Sequence, residues 1–393
     1  MARLFAYGSL SLVLVLYLTQ AGLTAEQIGL LLTLTLIGDT LISLWITTHA
    51  DQLGRRRMLI AGAGLMLLAG VLFALTQDVT LLIVAATIGV ISPSGHEVGP
   101  FLSIEQAALS HIVPNEQRTS VFAWYNLVGS FASALGALFG GGLAQVLQNA
   151  GVSPLDSYRA VVISYAAIGV LLGILFTRLT VGVEPSSLVP LPARERGGSA
   201  GLLGLHRSRR VVLRLSTLFA LDSFGGGFVV QSIVAYWFSV RFGMEPGGLG
   251  GIFFGANILA GLSFLAAARV AARIGLINTM VYTHIPSNVL LMLVPLMPSL
   301  PLAIGVLLLR FTISQMDVPT RQSYTMAVVD PDERSAAAGV TGIARTTGAA
   351  LSPVIAGPLL GSAALFFLAG GLKIVYDLLL YRSFRALKPP EEK

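Results

Sequence analysis

Cysteine is absent from the 393 residues, so disulfides and thiolate metal sites are excluded. Charge is scarce as well. Asp, Glu, Lys and Arg make up 11 % of the chain, against about 25 % in soluble domains, too few to clothe a water-facing surface. The five histidines stand too far apart for a zinc motif. No phosphate loop, nucleophile elbow or catalytic triad occurs, so no enzyme is expected. What is abundant is apolar: 54 % hydrophobic residues and a mean hydropathy of +0.80. The net charge of +6 and pI near 9.8 would suit a nucleic-acid partner. The basic residues instead follow a membrane-orientation pattern, so lipid is expected as the partner and nucleic acid is not.

A spanning helix needs about 20 mainly apolar residues. Twelve stretches meet that need: 4–21, 26–48, 57–76, 79–110, 118–148, 158–178, 211–240, 246–273, 276–297, 300–328, 335–359 and 361–383. No cleavage signal is evident at the start, so 4–21 is expected to be the first span. Connections are short except for 179–210, a Pro-, Gly-, Ser- and Arg-rich linker. It divides the chain into 1–178 and 211–393. Of the 25 Lys and Arg, only Arg159 and Arg241 fall on outer loops if the N-terminus is cytoplasmic, and Arg310, Arg321, Arg345 and Lys373 fall inside spans. The remainder sit at the cytoplasmic side, so both termini are expected inside.

The halves repeat each other. "LFAYGS" (4–9) echoes "LFALDS" (218–223) at an offset of 214 residues; Glu105-Gln106 lies opposite Arg321-Gln322, "PNEQRTS" (114–120) echoes "PDERSA" (331–336) with Arg118 over Arg334, and Ala134-Leu135 matches Ala350-Leu351, each at an offset of 216. Two parallel repeats imply a pseudo-two-fold axis along the membrane normal, with a site near mid-depth.

The densest basic run, "HADQLGRRR" (49–57), separates spans 2 and 3. It resembles the loop of the major facilitator superfamily, whose pattern is roughly Gly-x-Leu-Ala-Asp-Arg-x-Gly-Arg-Arg/Lys. Ala50-Asp51, Gly54 and Arg55, Arg56 and Arg57 fit; Thr47, His49 and Gln52 depart from it. The resemblance covers the whole chain and implies an all-α membrane protein: twelve transmembrane helices in two pseudo-symmetric six-helix bundles, of bacterial type. It also implies a gating role for Asp51, Gly54 and the three arginines, whose charge-assisted bonds must break on switching. Arg118 and Arg334 head spans 5 and 11, where such a lock finds further partners. The second-half copy (266–281) keeps Arg269, Arg273 and Gly275 but has no acid.

A charge at bilayer mid-depth costs at least about 2.5 kcal/mol, so each needs a partner or a function. Arg310, Ser314, Asp317, Arg321 and Tyr324 recur at spacings of 3 and 4, which puts them on one face of span 10. Span 4 carries His96, Glu97 and Glu105 among Pro93, Pro100 and two glycines, where the helix is expected to kink or open. Glu97 is the first candidate for a proton-carrying carboxylate. Asp39, Asp222 and Arg345 also lie near mid-depth. These charges, Glu105 included, form the candidate proton and substrate set, or else an ion-pair network that only packs the bundle. Lys373 and Asp377, four apart on span 12, are expected to neutralise each other.

The resemblance implies a monomeric inner-membrane transporter that uses the proton motive force and no bound cofactor. Proton-coupled efflux of a small organic compound is the first expectation. The alternative is proton-coupled uptake of an organic or inorganic anion, favoured if Arg310, Arg321 and Arg345 are not already satisfied by acids. A non-transporting membrane sensor is a minor third reading.

Overall fold

The computed structural model describes residues 1–95, 101, 104–105, 118–179, 205–330 and 333–387, without the side chains of 47–52, 118–123 and 335. The Glu97 candidate, most of the second part of span 4, most of the linker, and the side chains of Asp51 and Arg118 lie outside the described residues.

Helices joined by short turns make up the described residues. The helices are α1 (Ala2–Gln20), α2 (Ala25–Leu53), α3 (Arg55–Leu75), α4 (Val79–Ile88), α5 (Arg118–Asn149), α6 (Pro154–Thr177), α7 (Arg209–Gly227), α8 (Gln231–Phe242), α9 (Pro246–Ile274), α10 (Leu276–Leu293), α11 (Leu300–Phe311), α12 (Asp317–Ala327), α13 (Arg334–Ala356) and α14 (Ala364–Phe384). Local sequence explains their ends. Asp78 caps α4 by accepting from Leu81 N–H at 2.9 Å. Ser153 and Asp156 cap α6 reciprocally, and Pro154 takes its first turn, where a missing N–H costs nothing. The two loop glycines at matching places in the halves, Gly54 and Gly275, both hold positive φ (97° and 85°). A side chain there would be strained, which is why the motif keeps glycine.

Three of the twelve expected spans differ from a single long apolar helix among the described residues. Nine helical stretches among the described residues are long and apolar enough to cross a membrane. In span 4 the first helix ends at Ile88, Gly89 and Pro93 follow, and Phe101, Ile104 and Glu105 are helical again. Span 10 is two helices, α11 and α12, joined by turns over 312–316. Span 11, α13, carries Thr341, Arg345, Thr346, Thr347 and Ser352 and is too polar to count by hydropathy. Span 7 is also interrupted: α7 ends at Gly227 and α8 starts at Gln231, after three consecutive glycines that favour a break.

The chain forms two compact units, one of Met1–Ser186, Val229–Ile258 and Pro353–Leu365, the other of Ser187–Phe228, Leu259–Ser352 and Phe366–Lys393. In the first, α1 is buried by α5, α6 and α8, and α3 lies on α6. Segments from late in the sequence reach in by backbone approach. A Cβ on Gly29 would stand 2.8 Å from Gly357 Cα, and one on Gly141 would stand 2.9 Å from Gly250 Cα. A buried polar clasp joins them: Gln231 Nε2 donates to Ser11 Oγ at 2.9 Å, Asn257 Nδ2 donates to Gln231 Oε1 at 3.2 Å, and Ser232 N–H donates to Pro93 O at 3.2 Å.

In the second unit, α7 lies against α13, with Gly348 on the Ala220 carbonyl and Gly227 on Ser352. Gly225 admits α14, whose Lys373 Cγ would be 3.1 Å from an added Cβ. Leu215, Phe219, Met280, Val281, Tyr324, Tyr376 and Leu380 fill the space between α7, α10, α12 and α14.

Glu333 organises one end of this unit. Its carboxylate accepts from the N–H groups of His206 (3.0 Å), Arg207 (2.8 Å) and Ser208 (3.0 Å), at the start of α7. Burial pushes the Glu333 carboxyl up, but these backbone donors and the Ser208 side chain outweigh it and hold it below its ordinary value. A lowered acid stabilises the fold above its unfolded value, about 4.3, and that contribution disappears as pH falls through the lowered value. Glu333→Gln is therefore expected to reduce thermal stability at pH 7 and to lose the difference from wild type as pH falls below the ordinary carboxylate range. Parallel melting curves across pH 3–7 check it; a constant difference would contradict the assignment.

Candidate transport site: a buried charge cluster

Asp222 sits near the C-terminal end of α7, 5 % exposed. A carboxylate there demands compensation, and two cations supply it. Lys373 Nζ on α14 donates to Oδ1 at 2.6 Å, and Arg321 Nη1 on α12 donates to Oδ2 at 2.9 Å. Arg321 also reaches Asp317 Oδ2 at 3.4 Å, one turn back on α12, and lies over the Phe219 ring at 5.4 Å. Glycines at 225 and 226 leave room for the Lys373 stem. The cluster continues to α10, where His284 Nδ1 meets Asp377 Oδ1 at 2.8 Å and His284 Nε2 faces Asp222 Oδ1 at 3.8 Å. Asn288 Nδ2 donates to the other Asp377 oxygen at 3.3 Å.

This arrangement brings together Asp222, Asp317 and Arg321 of the expected set. It also corrects the Lys373–Asp377 expectation. The two share a face of α14, but that face meets α7 and α10, so Lys373 bonds Asp222 and Asp377 bonds His284 and Asn288. His284, a lone polar group in an apolar span, was passed over for want of metal-ligand spacing; Ser287 and Asn288 beside it were the available signal. The stripe of span 10 persists across the break, because Ser314 N–H still donates to Arg310 O at 3.0 Å. Asp317, Arg321 and Tyr324 are buried, and Arg310 is half-buried.

Arg310 and Arg345 differ from Arg321. Neither makes an ion pair among the described residues, and the Nε of each is buried without a hydrogen-bond partner. Arg345, on α13, lies within the field of Arg321, Asp222 and Asp317. Such unspent donors can take an anion.

The first unit holds its own ion pair. Arg3 on α1, 2 % exposed, forks onto Glu105 at 2.7 and 3.2 Å, under the Tyr125 hydroxyl, which also bonds Glu105. The guanidinium stacks 4.6 Å from the Phe101 ring. Glu105 thus answers Arg3, a partner hidden at the chain's start. Asp39 is buried in α2. In the basic loop, Arg55 is buried, Arg56 Nη2 donates to the Thr177 carbonyl at 2.6 Å, and Arg57 is exposed. Arg334 is exposed and donates to the Met326 carbonyl at 2.9 Å. No group of three or more His, Asp or Glu able to hold a metal occurs among the described residues.

Comparison with known proteins gives four findings. The family model described as Major Facilitator Superfamily matches residues 1–353. The "Uncharacterized membrane protein YJR124C" of Saccharomyces cerevisiae is 32 % identical, over 96 % of this chain and 90 % of that protein. The "Quinolone resistance protein NorA" of Staphylococcus aureus is 27 % identical over 34 % of this chain and 33 % of that one. Among solved structures, the nucleoside transporter NupG superposes with a TM-score of 0.72 at 14 % identity, covering 98 % of this chain and 96 % of that chain. At that identity the likeness concerns the fold.

Proposed function

Because the chain belongs to the major facilitator superfamily, a family of secondary transporters rather than enzymes, we propose that it moves a small anion into the cell together with protons. It is a multi-pass membrane transporter of a small solute working by alternating access. The anion and the proton are the finer reading, and one observation carries them. Arg321 is satisfied by Asp222 and Asp317, whereas Arg310 and Arg345 keep buried donors with no acid of their own among the described residues. A cation retained unpaired in a spanning segment is costly, and an anionic solute offsets that cost. The export reading rests on the resemblance of loop 49–57 and on the chain's compact length; the identity to a quinolone resistance protein covers a third of the chain.

The rest of the assignment follows the sequence. The two six-helix bundles are 1–178 and 211–393, both termini are cytoplasmic by the basic-residue bias, and the membrane is the cell membrane. Asp51, Gly54, Arg55, Arg56, Arg57, Arg118 and Arg334 form the conformational lock. The working unit is a monomer that draws on the proton motive force.

Proteoliposomes with acid outside test the reading. The probes are labelled benzoate, succinate, lactate and phosphate, with tetraphenylphosphonium as the cationic control. We expect uptake of at least one anion that grows with the pH gradient, and at least a tenfold loss in Arg345→Gln with the protein still folded. Expulsion of tetraphenylphosphonium against protons, with no anion uptake, would replace symport by export.

A further inference from the structure

We propose that His284 and Asp377, on α10 and α14, form the proton-binding site of this transporter. The inference rests on the symport reading above and names its coupling residues.

The buried acids of the second unit are not equivalent. Asp222 is held by two permanent cations, Lys373 and Arg321. Asp317 shares Arg321. Protonating either means losing charge-assisted bonds to groups that stay charged. Asp377 is different. Its side chain is fully buried, and its partners are His284 and Asn288, neither a permanent cation. Lys373 one turn back on α14, Asp222 on α7 and Asp317 on α12 complete the charged surroundings of the pair; the Tyr376 ring stands edge-on to the imidazole at 5.9 Å. Tyr376 OH and Asn288 Oδ1 are buried with no hydrogen-bond partner, so the pocket around the pair holds polar capacity that the resting bonds leave unused.

The geometry fixes where the proton goes. An ionised Asp377 only accepts, so Nδ1 of neutral His284 carries its hydrogen toward Oδ1. The incoming proton then binds Nε2, the nitrogen facing Asp222 Oδ1 at 3.8 Å. One N–H bond forms, the imidazole becomes an imidazolium, and no other bond changes. The new donor competes with Lys373 for the same Asp222 oxygen. That loosens the hold of Asp222 on Lys373 and Arg321 and strengthens the cationic field toward Arg345. An anion arriving there favours the imidazolium in return, because linkage is reciprocal. Loading both leaves the buried charge as it was, whereas loading one changes it by a unit. Coupled rather than separate loading follows.

The test needs no knowledge of the solute. Wild-type, His284→Gln and Asp377→Asn proteins, each labelled with ¹⁵N-histidine in lipid vesicles, are compared by nuclear magnetic resonance from pH 5 to 8. We expect a signal, missing in His284→Gln, that titrates in this range and moves to lower pH in Asp377→Asn, where the amide preserves a hydrogen bond but not the charge. A His284 signal that does not titrate from pH 5 to 8, or one indifferent to Asp377→Asn, would overturn the proposal. Vesicle flux separates the two readings. If wild type accumulates a probe anion uphill and His284→Gln does so equally, the proton site fails and symport stands. If wild type takes up none of the four, symport fails while the resonance still reports on the site. Glu97→Gln is the control: accumulation lost there and kept in His284→Gln places the proton on span 4 instead.

Discussion

Asp222→Asn is expected to destabilise the transporter more than any other single change in the second unit. The substitution keeps the size of the side chain and removes its charge. Lys373 and Arg321 then face one another across an amide in a dry setting, with Asp317 at 3.4 Å from Arg321 as the remaining acid. Removing one partner of a buried ion pair costs about 3–5 kcal/mol, and here one acid serves two cations. The expected result is a sharply lowered melting temperature in detergent and poor recovery from membranes. The companion experiment is Asp222→Leu with Lys373→Leu. It deletes both charges, leaves Arg321 with Asp317, and should recover most of the loss, because apolar replacement of a whole pair is often neutral. A single variant that melts with wild type would mean that Asp222 is not charged in the resting protein.

Glu105→Gln should have the next largest effect, in the first unit. Arg3 is almost fully enclosed, with Phe101 over its plane and Glu105 at its fork. The neutral amide offers one weaker acceptor to a guanidinium that stays charged. Because Glu105 is a quarter exposed and the Tyr125 hydroxyl remains beside the fork, the expected loss is about 2–3 kcal/mol. Arg3→Met with Glu105→Gln should be more stable than Glu105→Gln alone, since it removes the stranded cation and fills its stem volume. Thermal unfolding of the four proteins completes the cycle. Additive effects would show that the two side chains do not act as a pair.

Much of this architecture is legible in the sequence because lipid imposes long apolar helices and leaves every charge conspicuous. The glycine of each short loop could be read too: Gly54 and Gly275 occupy backbone conformations that other residues reach only under strain. What periodicity could not give is partner choice. Lys373 and Asp377 satisfy the spacing rule for a helical pair, yet their common face looks at α7 and α10, and distance along the chain says nothing about that. Arg3 reads as an orientation signal, because at a terminus a buried arginine and a cytoplasmic one look alike in sequence. The breaks in spans 7 and 10 fall at glycines and at a mixed polar stretch that hydropathy averages into one long helix. The bacterial assignment rested on loop motif and length, and a yeast protein 32 % identical over nearly the whole chain shows that such a framework does not single out bacteria.

The Asp222 cluster also constrains how the protein is made. Its cations lie 99 and 151 residues further along the chain. Spans are delivered to the membrane in the order of synthesis, so α7 reaches the insertion machinery with an acid that has no counter-ion yet made. Arg321 arrives first, Lys373 only with the final span. Until Arg321 follows, α7 carries an unpaired acid, at a cost of at least about 2.5 kcal/mol at bilayer mid-depth. Lys373 joins only when α14 is made, so the cluster reaches its final charge balance with the last span.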